Sequence, residues 1–157
     1  MIIGIDFDGT CVTHDFPSIG QSIGAEEVLI DLVKEGHSLI LFTMRSDKQG
    51  DIQTKSGEII RLETSMLHDA VNWFNEREIP LWGVNENPEQ KSWTNSPKPY
   101  CHLYIDDAAL GCPVKYDKDI SDRPFVDWKR VEALLTKKGY LNNKQVDIKR
   151  EAENFIE

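Results

Sequence analysis

The sequence predicts an α/β fold: a three-layer, doubly wound parallel sheet with helices on both faces. Three observations predict it. Short apolar runs of strand length alternate with stretches of helical periodicity in a βαβαβ…βα order. Each transition is marked by a turn or stop residue, such as Gly9, Gly36, Pro80 or Gly139. The chain has 157 residues, 39% of them hydrophobic and 29% charged. That is one ordinary domain, long enough to bury a core without staples.

Met1–Ile5 is an Ile-rich run bounded by Asp6 and Gly9, which predicts a buried strand. Ala25–Glu35 places Val28, Leu29, Leu32 and Val33 at helical spacing and stops at Gly36. Ser38–Phe42 is a second strand, ended by Thr43. Ser65–Arg77 is a second helix, with Met66, Leu67, Ala70, Val71 and Phe74 on one face and Ser65 or Thr64 as cap. Leu81–Val84 is a weaker strand after Pro80, and His102–Ile105 is another, ended by Asp106 and Asp107. Asp127–Lys138 is a third helix with Trp128, Val131, Leu134 and Leu135 inward. Two segments interrupt the alternation. Gly9–Gly24 reads as a loop, and Ser46–Glu63 as a small hairpin or ordered loop turning at Lys55-Ser56-Gly57. Residues 1–140 form the core, and 141–157 are a peripheral helix or a tail.

The formal charge is −9, which excludes broad nucleic-acid binding and adhesion to an anionic membrane. No apolar run approaches the ~20 residues of a membrane span. The first eight residues lack the basic start of a signal peptide. Cys11, Cys101 and Cys112 are odd in number and lack CxxC spacing, so reduced thiols in a cytoplasmic protein are expected. Cys11 follows Asp8 closely, but nothing nearby marks it as a catalytic thiol.

Ligands of parallel α/β sheets gather at the carboxyl ends of the strands. The first strand ends on Asp6, Asp8, Gly9 and Thr10, the second on Thr43 and Arg45, and the fourth on Asp106 and Asp107. Lys98 precedes the fourth strand. Four clustered carboxylates repel one another, so a cation among them or raised pKa values are expected. An all-oxygen donor set of this kind suits Mg²⁺.

These residues resemble the haloacid dehalogenase (HAD) superfamily. Asp6-Phe7-Asp8-Gly9-Thr10 resembles its first motif, Thr43 its second, Lys98 its third and Tyr104-Ile105-Asp106-Asp107 its fourth, all in the family's order. The resemblance implies a Rossmann-like core and a Mg²⁺-dependent phosphatase. Asp6 would be the nucleophile, forming an aspartyl-phosphate. Asp8 would protonate the leaving oxygen and then deprotonate water, and its main-chain carbonyl would join the metal site. Thr43 and Lys98 would hold the phosphoryl oxygens. Asp6 and Asp106 would bind Mg²⁺ directly; Asp107 would act through a metal-bound water or by orienting Lys98. Asp8 also separates the chain from family dehalogenases, which lack an acid there. About thirty residues between the first two motifs, and about fifty-five between the second and third, leave no room for a full cap domain of ~50 residues. An open cleft of this kind suits a phosphorylated small molecule or a nucleic-acid end.

Each residue also has a plainer reading. Asp pairs after strands are commonly turns or caps. Lys91 competes with Lys98 for the third motif, and Pro97 and Pro99 favour Lys98. Arg45 either grips a substrate phosphate or is a surface arginine. His14 either touches substrate from the first loop or is a solvated histidine, the simpler reading; Trp93 either stacks on a base or sugar or packs its loop, again the simpler reading; Trp73, Trp82 and Trp128 read as core or core edge. Two competing functions remain: a phospho-accepting signalling receiver, whose motif order differs from this one, and a non-catalytic phosphate-binding module. Neither the oligomeric state nor the substrate is legible.

Overall fold

The computed structural model of the protein describes residues 1–62 and 65–143. The alternative cap Thr64 and most of the expected C-terminal helix or tail lie outside the described residues. The central sheet has four parallel strands, β1 (Ile2–Ile5), β2 (Ser38–Leu41), β5 (Gly83–Val84) and β6 (Leu103–Ile105), in the order β5-β2-β1-β6. Ile2–Ile5 pairs with Ser38–Leu41, and Ile3–Ile5 with Leu103–Ile105. The strand expected at Leu81–Val84 shrinks to its last two residues, paired with Ile40 and Leu41.

Among the described residues three α-helices complete the α/β pattern: α1 (Ala25–Lys34), α2 (Met66–Glu76) and α3 (Trp128–Lys137). Their buried residues, Leu29, Leu32, Trp73, Phe74, Trp128 and Val131 among them, join one cluster with Ile3, Ile5, Leu39 and Leu41. The apolar positions predicted from 3.6-residue spacing therefore meet the odd-numbered face of the sheet. Leu134 departs from this pattern. It is 42% exposed, because the inward stripe of α3 runs through Trp128, Val131 and Leu135.

The helix starts differ from expectation in their chemistry. Asp127 caps α3 by accepting from the Arg130 N–H. Ser65 stands at the N-cap of α2 but gives no side-chain bond. Asp47, distant in sequence, replaces it: its Oδ1 accepts from the N–H groups of Leu67 and His68, at 3.1 and 3.0 Å.

Within the segment expected as a hairpin or ordered loop, β3 (Gly50–Gln53) pairs antiparallel with β4 (Ile59–Leu62), and Glu63 lies outside the described residues. The Lys55-Ser56-Gly57 turn lies between them, and Gly57 takes φ +86°, which an L side chain resists. A second small pair, β7 (Val114–Lys115) with β8 (Phe125–Val126), has no counterpart in the sequence reading. Two residues per strand are too few to show a period. It matters for the site, because the Val126 N–H donates to the Gly9 carbonyl at 2.9 Å. Among the described residues no helix is long and apolar enough to cross a membrane.

Candidate active site

Parallel pairing brings the ends of β1 and β6 side by side, and the Asp6 N–H continues the ladder to the Ile105 carbonyl at 3.0 Å. Asp6, Asp106 and Asp107 follow immediately. Each offers one carboxylate oxygen, and the three oxygens lie within 4.8 Å of one another. Burial is the largest cause that pushes the Asp6 carboxyl up, to about 7. The Phe7 N–H and the Thr10 hydroxyl oppose the shift, and the charges of Asp106 and Asp107 add to it. Among the described residues no Lys or Arg hydrogen-bonds to any of the three. Three hard oxygen donors with an uncompensated charge fit a Mg²⁺ ion.

Thr10 organises this cluster. It is fully buried; its hydroxyl donates to Asp6 Oδ2 at 3.0 Å and accepts from the Asp107 N–H at 3.1 Å. Its carbonyl accepts from Trp128 Nε1 at 2.7 Å, which fixes the loop against α3. Gly9 is required by the same packing. At φ +80°, a Cβ there would stand 2.1 Å from His14 Nε2 and 2.7 Å from Asp107 Oδ2.

His14 is the first correction to the expectations above. It is not solvated. Its Nε2 lies 2.9 Å from Asp107 Oδ2, with the side chain 15% exposed. The loop from Gly9 to Gly24 folds back across the strand ends, through the Thr13 N–H to the Gln21 carbonyl, and carries His14 with it.

Arg45 is the second. It is buried, and its guanidinium is fully engaged. Nε donates to Asp8 Oδ2 and Nη2 to Asp8 Oδ1, both at 2.7 Å. Nη1 donates to the carbonyls of Pro17 and Met66, and Nη2 to that of Ser18. An arginine with these partners holds its own protein together and has no donor pair left for a substrate phosphate. Asp8 therefore lines the cleft but stands apart from the carboxylate cluster.

Lys98 is the third. Its ammonium sits 5.1 Å from the Tyr104 ring centroid, and it does not line the cleft. Gln90 fixes the surrounding loop by donating to the Ser96 and Lys98 carbonyls and accepting from the Tyr100 N–H. Lys91 does not replace it, since its Nζ lies 3.5 Å from Glu86 Oε2 on the surface. Thr43 lies at the cleft, as expected. Its N–H is held by Asn85 Oδ1 at 2.8 Å, and its hydroxyl accepts from the Arg45 N–H at 3.2 Å.

The cleft measures about 490 Å³ and is lined by Asp6, Asp8, His14, Thr43, Arg45, Asp106 and Asp107, together with Phe16, Met44, Ala108 and Arg123. Arg123 was not singled out by the sequence, where an arginine between Asp122 and Pro124 has no motif around it. All three thiols are free, and burial pushes Cys11 well up, out of any nucleophilic role. Trp93 is 64% exposed and packs edge-on against Tyr100.

No protein-family model matches this chain, and no curated protein does. Among solved structures, a conserved protein from Bacteroides thetaiotaomicron is similar, with 29% sequence identity and a TM-score of 0.62 over 94% of this chain and 96% of that one. The likeness spans nearly the whole of both chains.

Proposed function

We propose that this protein is a Mg²⁺-dependent phosphomonoester hydrolase that works through an aspartyl-phosphate on Asp6, as a capless member of the HAD superfamily. The observation that carries the proposal is the Asp6–Asp106–Asp107 cluster, with its oxygens within 4.8 Å and the Asp6 carboxyl raised to about 7. Such a cluster is costly unless a cation completes it. Asp6, Asp106 and Asp107 would hold Mg²⁺, which would neutralise charge on the phosphoryl oxygens and on Asp6. The doubly wound, three-layer form of the core, with helices on both faces, belongs to the same reading. So do a cytoplasmic setting and a phosphorylated small molecule or nucleic-acid end as substrate.

In the first step an Asp6 carboxylate oxygen attacks phosphorus, the bond to the leaving oxygen breaks, and that oxygen takes a proton from Asp8. In the second, water attacks phosphorus and gives a proton to Asp8, while the aspartyl oxygen leaves and restores Asp6. Thr10 holds Asp6 Oδ2 and so aims the carboxylate. Each Asp8 oxygen accepts one bond from Arg45, which fixes the carboxyl group and leaves each oxygen a second lone pair with which to carry the proton. Thr43 stands at the cleft to donate to the phosphoryl group.

The experiment is phosphate release from a panel of phosphomonoesters, with Mg²⁺ and with chelator, beside Asp6→Asn. Mg²⁺-dependent release lost in the variant supports the proposal; release that survives the variant removes Asp6 as nucleophile. The hold of Arg45 on Asp8 favours one second reading, a phospho-accepting module in which an Asp8 fixed by that pairing serves the attacking water poorly and prolongs the phosphoaspartate. A phosphoenzyme persisting for hours after acyl phosphate treatment would select it.

A further inference from the structure

Among the described residues neither Lys98 nor Lys91 lines the cleft, and a phosphoryl group held beside a metal is bound more tightly where a side-chain donor joins it. Arg45 is spent on Asp8 and three carbonyls, and Lys98 and Lys91 face elsewhere. Arg123 also lines the cleft. It is exposed, and its guanidinium makes no ion pair among the described residues. Its backbone is nonetheless anchored. The Arg123 N–H donates to Ser121 Oγ at 3.2 Å, and β8 follows two residues later, tied by Val126 to Gly9. A flexible charged side chain on a fixed base, lining the same cleft as Asp6 and Asp107, is placed to meet phosphoryl oxygens.

The same cleft carries two exposed apolar side chains, Phe16 at 45% and Met44 at 97%. The Arg45 guanidinium lies 5.4 Å from the Phe16 centroid, so the ring is braced by a buried cation while much of its surface stays open. A braced aromatic ring and an adaptable thioether make a surface for a flat apolar ring. A volume of about 490 Å³ lies within the usual range for small-molecule sites, roughly 300–1,000 Å³.

We propose that Arg123 binds the phosphoryl oxygens of the substrate and that Phe16 and Met44 stack its leaving group, which makes the substrate a nucleoside monophosphate. The inference rests on the phosphohydrolase reading for its chemistry, but binding tests it without turnover. The full-length protein is titrated with adenosine 5′-monophosphate and with ribose 5-phosphate in Mg²⁺, and phosphate release is followed in parallel. The nucleotide should bind about five-fold or more tighter than the sugar phosphate. Met44→Ala and Phe16→Leu should erase that preference. Arg123→Ala should weaken both ligands about ten-fold or more. Met44 is exposed, so its truncation tests the shelf without disturbing the core. Equal affinity for the two ligands, indifference to Met44→Ala and Phe16→Leu, or binding of neither ligand overturns the shelf. Unchanged affinity in Arg123→Ala overturns the role of that arginine. Nucleotide binding in the expected pattern with no phosphate released sinks the hydrolase reading and leaves the subsite. Equal turnover of both ligands, unaffected by the shelf variants, does the reverse.

Discussion

Arg45 grips both carboxylate oxygens of Asp8, with Nε 2.7 Å from Oδ2 and Nη2 2.7 Å from Oδ1. The two residues lie 37 positions apart, and the same guanidinium also ties down the carbonyls of Pro17, Ser18 and Met66. One buried side chain thus joins the first-motif loop, the end of β2 and the start of α2. Removing it takes away the side-chain donors of both Asp8 oxygens and the Arg45 bonds to the Pro17, Ser18 and Met66 carbonyls. Arg45→Met should destabilise the fold by about 3 kcal/mol in urea unfolding. Arg45→Lys should recover little, because an ammonium cannot make the paired contact. A stable Arg45→Lys variant with only a raised KM would instead return Arg45 to the substrate.

Asp6 makes stability depend on pH in a defined direction. Its carboxyl lies at about 7 in the fold and at 3.8 in an unperturbed chain. Below pH 3.8 both states hold the proton. Between 3.8 and 7 the folded state keeps a proton that the unfolded state has lost, so stability falls as pH rises, by at most about 1.4 kcal/mol per unit. In chelator, the wild type should therefore lose more stability from pH 5 to 7.5 than Asp6→Asn. Parallel pH profiles for the two would show that Asp6 titrates normally.

Thr10 carries two bonds through one buried hydroxyl. Thr10→Val keeps the shape and strands the Asp107 N–H, and should cost about 1–3 kcal/mol. Thr10→Ser keeps the hydroxyl and should recover most of the loss. Mn²⁺ binding, read by electron paramagnetic resonance, should weaken in Thr10→Val and hold in Thr10→Ser. Unaltered Mn²⁺ affinity in Thr10→Val would separate the threonine from the carboxylate cluster.

Gly9 and His14 are coupled by contact. Gly9→Ala should displace the imidazole from Asp107, since the new Cβ would overlap it, and it adds backbone strain at φ +80°. Metal affinity should change in the same direction in Gly9→Ala and His14→Ala. Combining the two substitutions should add less than their sum. Strict additivity would mean that the histidine does not transmit the effect.

Lys98 offers a test of placement. With its ammonium over the Tyr104 ring, Lys98→Met should reduce kcat/KM by less than about ten-fold. A loss of a thousand-fold, about 4 kcal/mol, would mean that the amine swings into the cleft when substrate is bound.

What the sequence determined by itself is the part governed by local periodicity. Runs such as Ile2–Ile5 and Leu39–Leu41 announce parallel strands, and the stripes of α1 and α2 announce their buried faces. Once the strands are placed, Asp6, Thr43, Asp106 and Asp107 must stand at their carboxyl ends, because each follows its strand within one or two residues. The tertiary structure decided which side chains meet across long stretches of chain. His14 reaches Asp107 over 93 positions, Arg45 turns to Asp8, Lys98 rests on Tyr104, and Arg123 arrives on the loop between the two-residue strands β7 and β8. None of these follows from spacing, because a loop's path is set by its own hydrogen bonds and by what it packs on. A charged side chain goes to whichever partner best offsets its desolvation. For Arg45 that partner is Asp8 together with three main-chain carbonyls, a combination that exists only after the chain has folded.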